Sequence, residues 1–278
     1  MSCIFKIKEG RESFTDTEEK LANYILENKK DVIMLSAQDL ADRVNTSAAA
    51  VIRFSKKVGY KGFTALKVDL AKDSEECIQD FNTIIKEQDS IEIMVRKSKA
   101  INMNALDQTY KLINYNALEE AIEAINKAEK IYLFGVGASG LVALDFQYKV
   151  SRIKKIAIYY QDSHMQVTSA AHIGEKDIAI GISYSGETKE VNLALKQAKE
   201  SGAYTIGVTK FNNSSLSKIV DNQLYIPSEE KEIRIGAMTS RMTALLIMDL
   251  LYLGVAKNDV DRTEEYILKT RSFIKGLK

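Results

Sequence analysis

Two segments of this chain set hydroxyls and glycines at a spacing suited to an anion. In ISYSGETKEV, Ile182–Val191, the side chains of Ser183, Ser185 and Thr188 surround Gly186. In LFGVGASG, Leu133–Gly140, glycines fall at 135, 137 and 140 beside Ser139. An apolar run leads into each segment and a helical pattern leads out, so each lies where a strand gives way to a helix. The first N–H groups of a helix lack intrahelical acceptors and carry the positive end of its dipole, which makes a phosphate the natural guest. G-V-G-A-S-G also fits the glycine spacing of a dinucleotide fingerprint, with Asp162 as the acidic residue after a later strand. A second hydroxyl-rich loop at the end of another strand favours a phosphate pocket over a dinucleotide cleft.

Such loops need a parallel sheet to hold them. After Ala117 five short β-branched and aromatic runs, KIYLFGVG, KIAIYY, DIAIGISYS, TIGVTK and NQLYIPS, alternate with stretches long enough for helices. That alternation predicts a doubly wound α/β domain. Upstream, from Phe14 to Lys72, apolar residues recur at helical spacing and nothing alternates as a strand would. The expected organisation is an all-α domain over 1–77, a helical connector over 78–112 and an α/β domain over 113–278. A length of 278 residues suits two cores.

The helical part holds a second chemistry. Ser36 is placed to cap a helix that buries Leu40, Ala41 and Val44; Asn45–Thr46 breaks it, and Ser47 caps another that buries Val51, Phe54 and Val58. Ala48, Ala49 and Ala50 let the start of the second helix sit deep in a major groove, with Arg53, Lys56 and Lys57 in reach of bases or phosphates. The whole chain carries a net charge of only +1, yet residues 43–72 hold seven basic side chains and one acid, Asp69. The charge asymmetry that DNA binding requires is therefore local. Cys3 and Cys77 form neither a disulfide framework nor a metal cluster, and MSCIFKIKEG lacks the apolar core of a signal peptide. A cytoplasmic protein is expected. ALLIMDLLYLGV, Ala244–Val255, is interrupted by Asp249 and reads as a buried helix, so no membrane partner is expected.

Residues 36–67 resemble the N-terminal domain of RpiR-type (MurR/RpiR) bacterial transcription regulators: a capped recognition helix at Ser47, then Arg53-Phe54, Gly59-Tyr60, Gly62-Phe63 and Leu66-Lys67. Ala48 and Ala50 depart from the pattern, which commonly has proline and threonine there. GVGAS and SYSGET together resemble the sugar isomerase (SIS) domain, a flavodoxin-like α/β fold. The two resemblances cover nearly the whole chain. They imply a DNA-contact set of Ser47, Ala49, Arg53, Lys56, Lys57, Tyr60 and Lys61. They also imply a phosphosugar pocket of Gly137, Ala138, Ser139, Ser183, Tyr184, Ser185, Gly186 and Thr188, with Thr239 and Ser240 from IGAMTSRMTALLIMDLLY near the sugar. QDSHMQ, with Asp162 and His164, also resembles the family, without an assigned role.

Aldose–ketose isomerisation needs a carboxylate or imidazole base in the pocket. Glu187, His164 and His172 are the available groups. Glu187 at a helix start is explained by the dipole, and a fused DNA-binding domain needs the pocket's binding energy rather than its chemistry. The expectation is a regulator without catalytic residues, metal or cofactor. It binds a double-stranded DNA operator and a sugar phosphate effector, as a homodimer or homotetramer. The alternative is a phosphosugar isomerase.

Overall fold

Ser36 and Ser47 each start a helix, as their spacing predicts. The computed structural model describes residues 3–74, 86–227 and 236–276, and the chain divides into two units, 1–79 and 80–278. The first holds α1 (Cys3–Glu9), α2 (Asp16–Glu27), α3 (Lys29–Met34), α4 (Ala37–Arg43), α5 (Ala48–Lys57) and α6 (Phe63–Ser74). The Ser36 hydroxyl accepts from the Asp39 N–H at 3.1 Å, and the Asp39 carboxylate accepts from the Ser36 N–H at 2.9 Å. At the start of α5 the Ser47 hydroxyl accepts from the Ala50 N–H at 3.2 Å. Between these helices Asn45 takes a left-handed φ of 54°, a conformation asparagine adopts more readily than most residues. The Thr46 N–H then closes on the Ala41 carbonyl at 2.9 Å.

One core holds this unit together. Leu21 and Ile25 of α2, Leu40 of α4, Val51 and Phe54 of α5 and Leu66 and Leu70 of α6 are all buried in it. Helix α1 lies ahead of the helical region expected from Phe14 onward; it is short, but it drops Cys3, Ile4 and Ile7 into the same core. With Val51, Phe54 and Val58 turned inward, α5 is left with an outer face of Ala49, Ile52, Arg53 and Lys56.

In the second unit, α7 (Ile91–Leu112) and α8 (Tyr115–Lys127) lead into the five expected strands: β1 (Lys130–Phe134), β2 (Ile156–Ile158), β3 (Ile178–Ile182), β4 (Tyr204–Lys210) and β5 (Asn222–Ile226). They form one all-parallel sheet in the order β2-β1-β3-β4-β5. Each strand is followed by a helix: α9 (Ala138–Ser151), α10 (Ser163–Ala170), α11 (Lys189–Glu200), α12 (Ser215–Ile219) and α13 (Met238–Lys257), and α14 (Val260–Lys275) closes the chain. Side chains alternate across the sheet. Ile131, Leu133, Ile178 and Ile180 pack with α8, α9 and α13, whereas Tyr132, Phe134 and Ala179 pack with α10, α11 and α12.

Helix α13 is long and apolar enough to cross a membrane, but its Ala244, Ile247, Met248, Leu251 and Val255 are buried against the sheet. It is the core helix that Ala244–Val255 predicts. Helix α7, expected as connector, packs on α13 and β5 within the second unit; residues 78–85 of that connector, and Cys77, lie outside the described residues.

The Ser47 cap gives the first testable consequence. Ser47→Ala removes the acceptor of the Ala50 N–H and should destabilise the N-terminal unit by about 1 kcal/mol, with Ser47→Asp close to wild type. Urea unfolding followed by circular dichroism measures this, and equal midpoints for all three proteins would show that the cap contributes nothing.

Candidate functional site

The strand order reverses between β1 and β3, and ligands of open α/β sheets bind beyond the carboxyl ends of the strands at such a point. A cleft of about 70 Å³ opens there. Val136, Ala138 and Ser139 line it from the β1–α9 junction, and Ile182 and Tyr184 from the end of β3. Ala237, Ser240 and Arg241 close it from the start of α13. A wider groove of about 560 Å³ at the opposite edge is lined by mixed charges that include Glu120, Lys127, Glu175 and Lys176. It lies at the amino ends of β3 and β4, which begin at Ile178 and Tyr204.

What distinguishes this edge of the sheet is how its helices begin. In this unit Ser90, Asn114, Asp162, Ser214 and Asp259 each cap a helix, their side chains accepting from first-turn N–H groups of α7, α8, α10, α12 and α14. Helices α9, α11 and α13 start at Gly137, Thr188 and Ala237 with no side-chain cap. Gly137 and Ala237 both have positive φ, 60° and 52°. A left-handed alanine is costly, and it sits where the chain turns into the cleft. The Thr188 hydroxyl is turned instead to that of Ser183, 2.8 Å away. A helix start whose own cap residue offers no side-chain acceptor is a place where an anion can take first-turn N–H groups.

Buried polar contacts fix both loops. Gln166, 2% exposed, brackets Gly135: its Oε1 accepts from the Gly135 N–H at 2.9 Å, and its Nε2 donates to the Gly135 carbonyl at 3.0 Å and the Tyr160 carbonyl at 2.8 Å. Gly140 lets the turn close, since a Cβ there would lie 3.0 Å from the Gly135 carbonyl and against the Tyr159 hydroxyl. In the second loop the Ser183 hydroxyl also accepts from the Gly186 N–H at 3.2 Å. Gly186 has φ 71°, and a Cβ there would collide with Ser214. Ser185 is half-buried, and its hydroxyl accepts from the Glu187 N–H at 3.2 Å, which leaves its proton to donate.

Glu187 is occupied. Its carboxylate accepts from the Ser215 N–H at 2.8 Å and the Ser215 hydroxyl at 2.6 Å. The hydroxyl bond first and the backbone bond second hold its pKa below the usual glutamate range. With both oxygens engaged, the Glu187 carboxylate braces the start of α12.

The expected ligand residues therefore divide. Ala138, Ser139, Tyr184 and Ser240 line the cleft; Gly137 starts α9, and Thr239 is buried in the first turn of α13. Ser183, Gly186 and Thr188 shape the second loop from within. Asp162 caps α10, its carboxylate accepting from the Met165 N–H at 2.8 Å, while His164 and His172 are exposed. Two residues escaped the sequence reading. Gln166 shares QDSHMQ with Asp162 and His164, but its role requires a partner 31 residues away. Arg241 follows the Thr239-Ser240 pair directly and is the one charged side chain in the cleft among the described residues.

On α5 the structure brings Ala49, Arg53 and Lys56 together on one exposed face, with Ser47 at its start and Lys61 exposed beyond its end. Lys57 instead pairs with Glu18 at 2.6 Å and lies 5.5 Å from the Phe14 ring centre. The Tyr60 hydroxyl donates to Asp69, and Lys6 sits 4.0 Å from its ring centre. Burial, then the Asp69 bond, pushes the Tyr60 phenol well above its ordinary pKa. Lys57 and Tyr60 thus brace α5 within its unit. Ile52, not foreseen, stands on the outer face.

Residues 1–76 match the helix-turn-helix domain of the rpiR family, and residues 124–253 match the SIS domain. The chain is 41% identical to an HTH-type transcriptional regulator of Caldanaerobacter subterraneus subsp. tengcongensis, over 95% of this chain and 94% of the relative. It is 36% identical to the HTH-type transcriptional regulator YbbH of Bacillus subtilis, over 98% of this chain and 96% of that one. Among solved structures it is similar to the Vibrio vulnificus NanR protein complexed with ManNAc-6P, with a TM-score of 0.64, 29% identity and 99% of both chains covered. The sugar isomerase domain of an RpiR transcription factor from Sphaerobacter thermophilus shares the fold at a TM-score of 0.59 and 20% identity, over 64% of this chain and 98% of that one.

The brace at Glu187 is testable by pH. Because its folded-state pKa lies below the unfolded value, its bonds stabilise the fold fully above the ordinary glutamate pKa and fade as pH falls through the folded one. The melting temperatures of wild type and Glu187→Gln should differ at about pH 7 and converge toward about pH 3. A gap of equal size at both would show that the carboxylate charge does not brace α12.

Proposed function

Because the chain belongs to the RpiR family of helix-turn-helix transcriptional regulators with a SIS domain, we propose that its cleft senses a sugar phosphate and that the effector adjusts the hold of α5 on a double-stranded DNA operator. The observation that carries the effector reading is the set of helix starts α9, α11 and α13, left without side-chain caps at one edge of the sheet. A phosphate accepts several such N–H bonds at once, and the Ser139 and Ser185 hydroxyls and the Arg241 guanidinium add donors matched to its charge. The ManNAc-6P bound to NanR supports the sugar phosphate class.

The pocket acts by binding. Glu187 is engaged with Ser215, and the relatives at 41% and 36% identity are regulators by name. DNA is read by the outer face of α5, with Ser47, Ala49, Arg53, Lys56 and Lys61 nearest the duplex and Lys57 and Tyr60 supporting the helix. The protein works as a homodimer or homotetramer, since paired half-sites require paired heads. For the effector to alter operator binding, it must favour one of two DNA-binding states of that assembly over the other.

Two substitutions separate the halves. Arg53→Ala should weaken operator binding by about 1–3 kcal/mol while the melting temperature stays in place. Undiminished binding in a gel-shift titration would remove Arg53 from the interface. Ser185→Ala deletes a donor to a charged group, worth about 1.5–3 kcal/mol, so the effector midpoint should rise about tenfold to a hundredfold. Fluorescence anisotropy of a labelled operator across an effector titration reads this. The curve without effector should not move, and an unchanged midpoint would reduce the loop to a turn.

A further inference from the structure

We infer that Ile52 reads the methyl group of a thymine in the operator, an inference that rests on α5 being the DNA-reading helix. Ile52 is 40% exposed, although the inward positions of α5, Val51, Phe54 and Ser55, are fully buried and the core is complete without it. It sits in the middle of the outer face, three residues after Ala49 and four before Lys56, beside Arg53. On a helix these spacings put all four side chains on one surface. The cations of that surface and of Lys61 call for a polyanion, but a bare phosphate surface offers nothing to a branched aliphatic side chain standing between them. The major groove of double-stranded DNA does. Among its base edges the thymine C5 methyl is the one apolar group, and a short apolar side chain near the start of a recognition helix is the usual partner for it. Ala49, one turn earlier, is small enough to let Ile52 approach. The phosphates held by Arg53 and Lys56 fix the register, and Ile52 then discriminates thymine from cytosine at one position of each half-site.

The test uses the full chain and a duplex it selects from a random library. Each dT of the selected site is replaced in turn by dU, which removes the methyl and leaves every hydrogen-bonding edge intact. Wild type should lose about threefold to fivefold in affinity at one position per half-site, the worth of about one buried methyl. Ile52→Ala should be indifferent to dU there, and Arg53→Ala should keep the sensitivity. An unchanged melting temperature for Ile52→Ala shows that the fold is intact. If wild type binds every dU duplex as it binds the parent, or if Ile52→Ala keeps the full methyl effect, the inference fails while the DNA-reading role of α5 stands. A protein that selects no duplex overturns both. Weakened self-association of Ile52→Ala without DNA would place Ile52 in a protein interface and overturn the inference as well.

Discussion

A parallel sheet delivers every following helix to the same edge with its N-terminus first, so the unpaired N–H groups of five helices gather at the carboxyl ends of β1–β5. The chain disposes of them in two ways. After β2 and β4 it supplies caps of its own, Asp162 and Ser214. After β1, β3 and β5 the cap positions are Gly137, Thr188 and Ala237, none of which makes a side-chain cap. Other features keep that arrangement from collapsing. Gln166 holds Gly135 from below, Ser183 ties Thr188 away from α11, and Glu187 is turned outward to Ser215. These bonds hold both loops in place, and a loop so held has less ordering cost to meet on binding.

The N-terminal unit follows a comparable division between residues that hold and residues that face outward. Lys57 is engaged by Glu18 and Tyr60 by Asp69. Ala49, Ile52, Arg53 and Lys56 have no part in the core and form the outer surface of α5. A helix braced on one side and left open on the other keeps its outer face in a fixed register, which the proposed base readout requires.

Much of this was legible in the sequence because it is local. The Ser36 and Ser47 caps, the break at Asn45, the five strands with their alternating faces and the hydroxyl-rich loop after β3 all depend on residues within a few positions of one another. What escaped depends on distant partners. Lys57 meets Glu18 and Gln166 meets Gly135 across 39 and 31 residues, and Arg241 gains its place in the cleft because α13 packs against α9, β4 and β5. Helix α1 was missed for a related reason: seven residues show too little period to declare themselves, and only the core they enter makes them a helix.

The starts of α9, α11 and α13, none capped by the side chain at its cap position, are proposed to hold a phosphate. Thermal unfolding of the full chain in the presence of sugar phosphates, each beside its unphosphorylated parent sugar, tests this most directly. A ligand at a hundred times its Kd adds about 2.7 kcal/mol to the stability of the state it binds. The account predicts that at least one sugar phosphate raises the melting temperature while its parent sugar leaves it unchanged. A parent sugar that protects as well as its phosphate, or a panel in which no phosphorylated sugar protects, would contradict it.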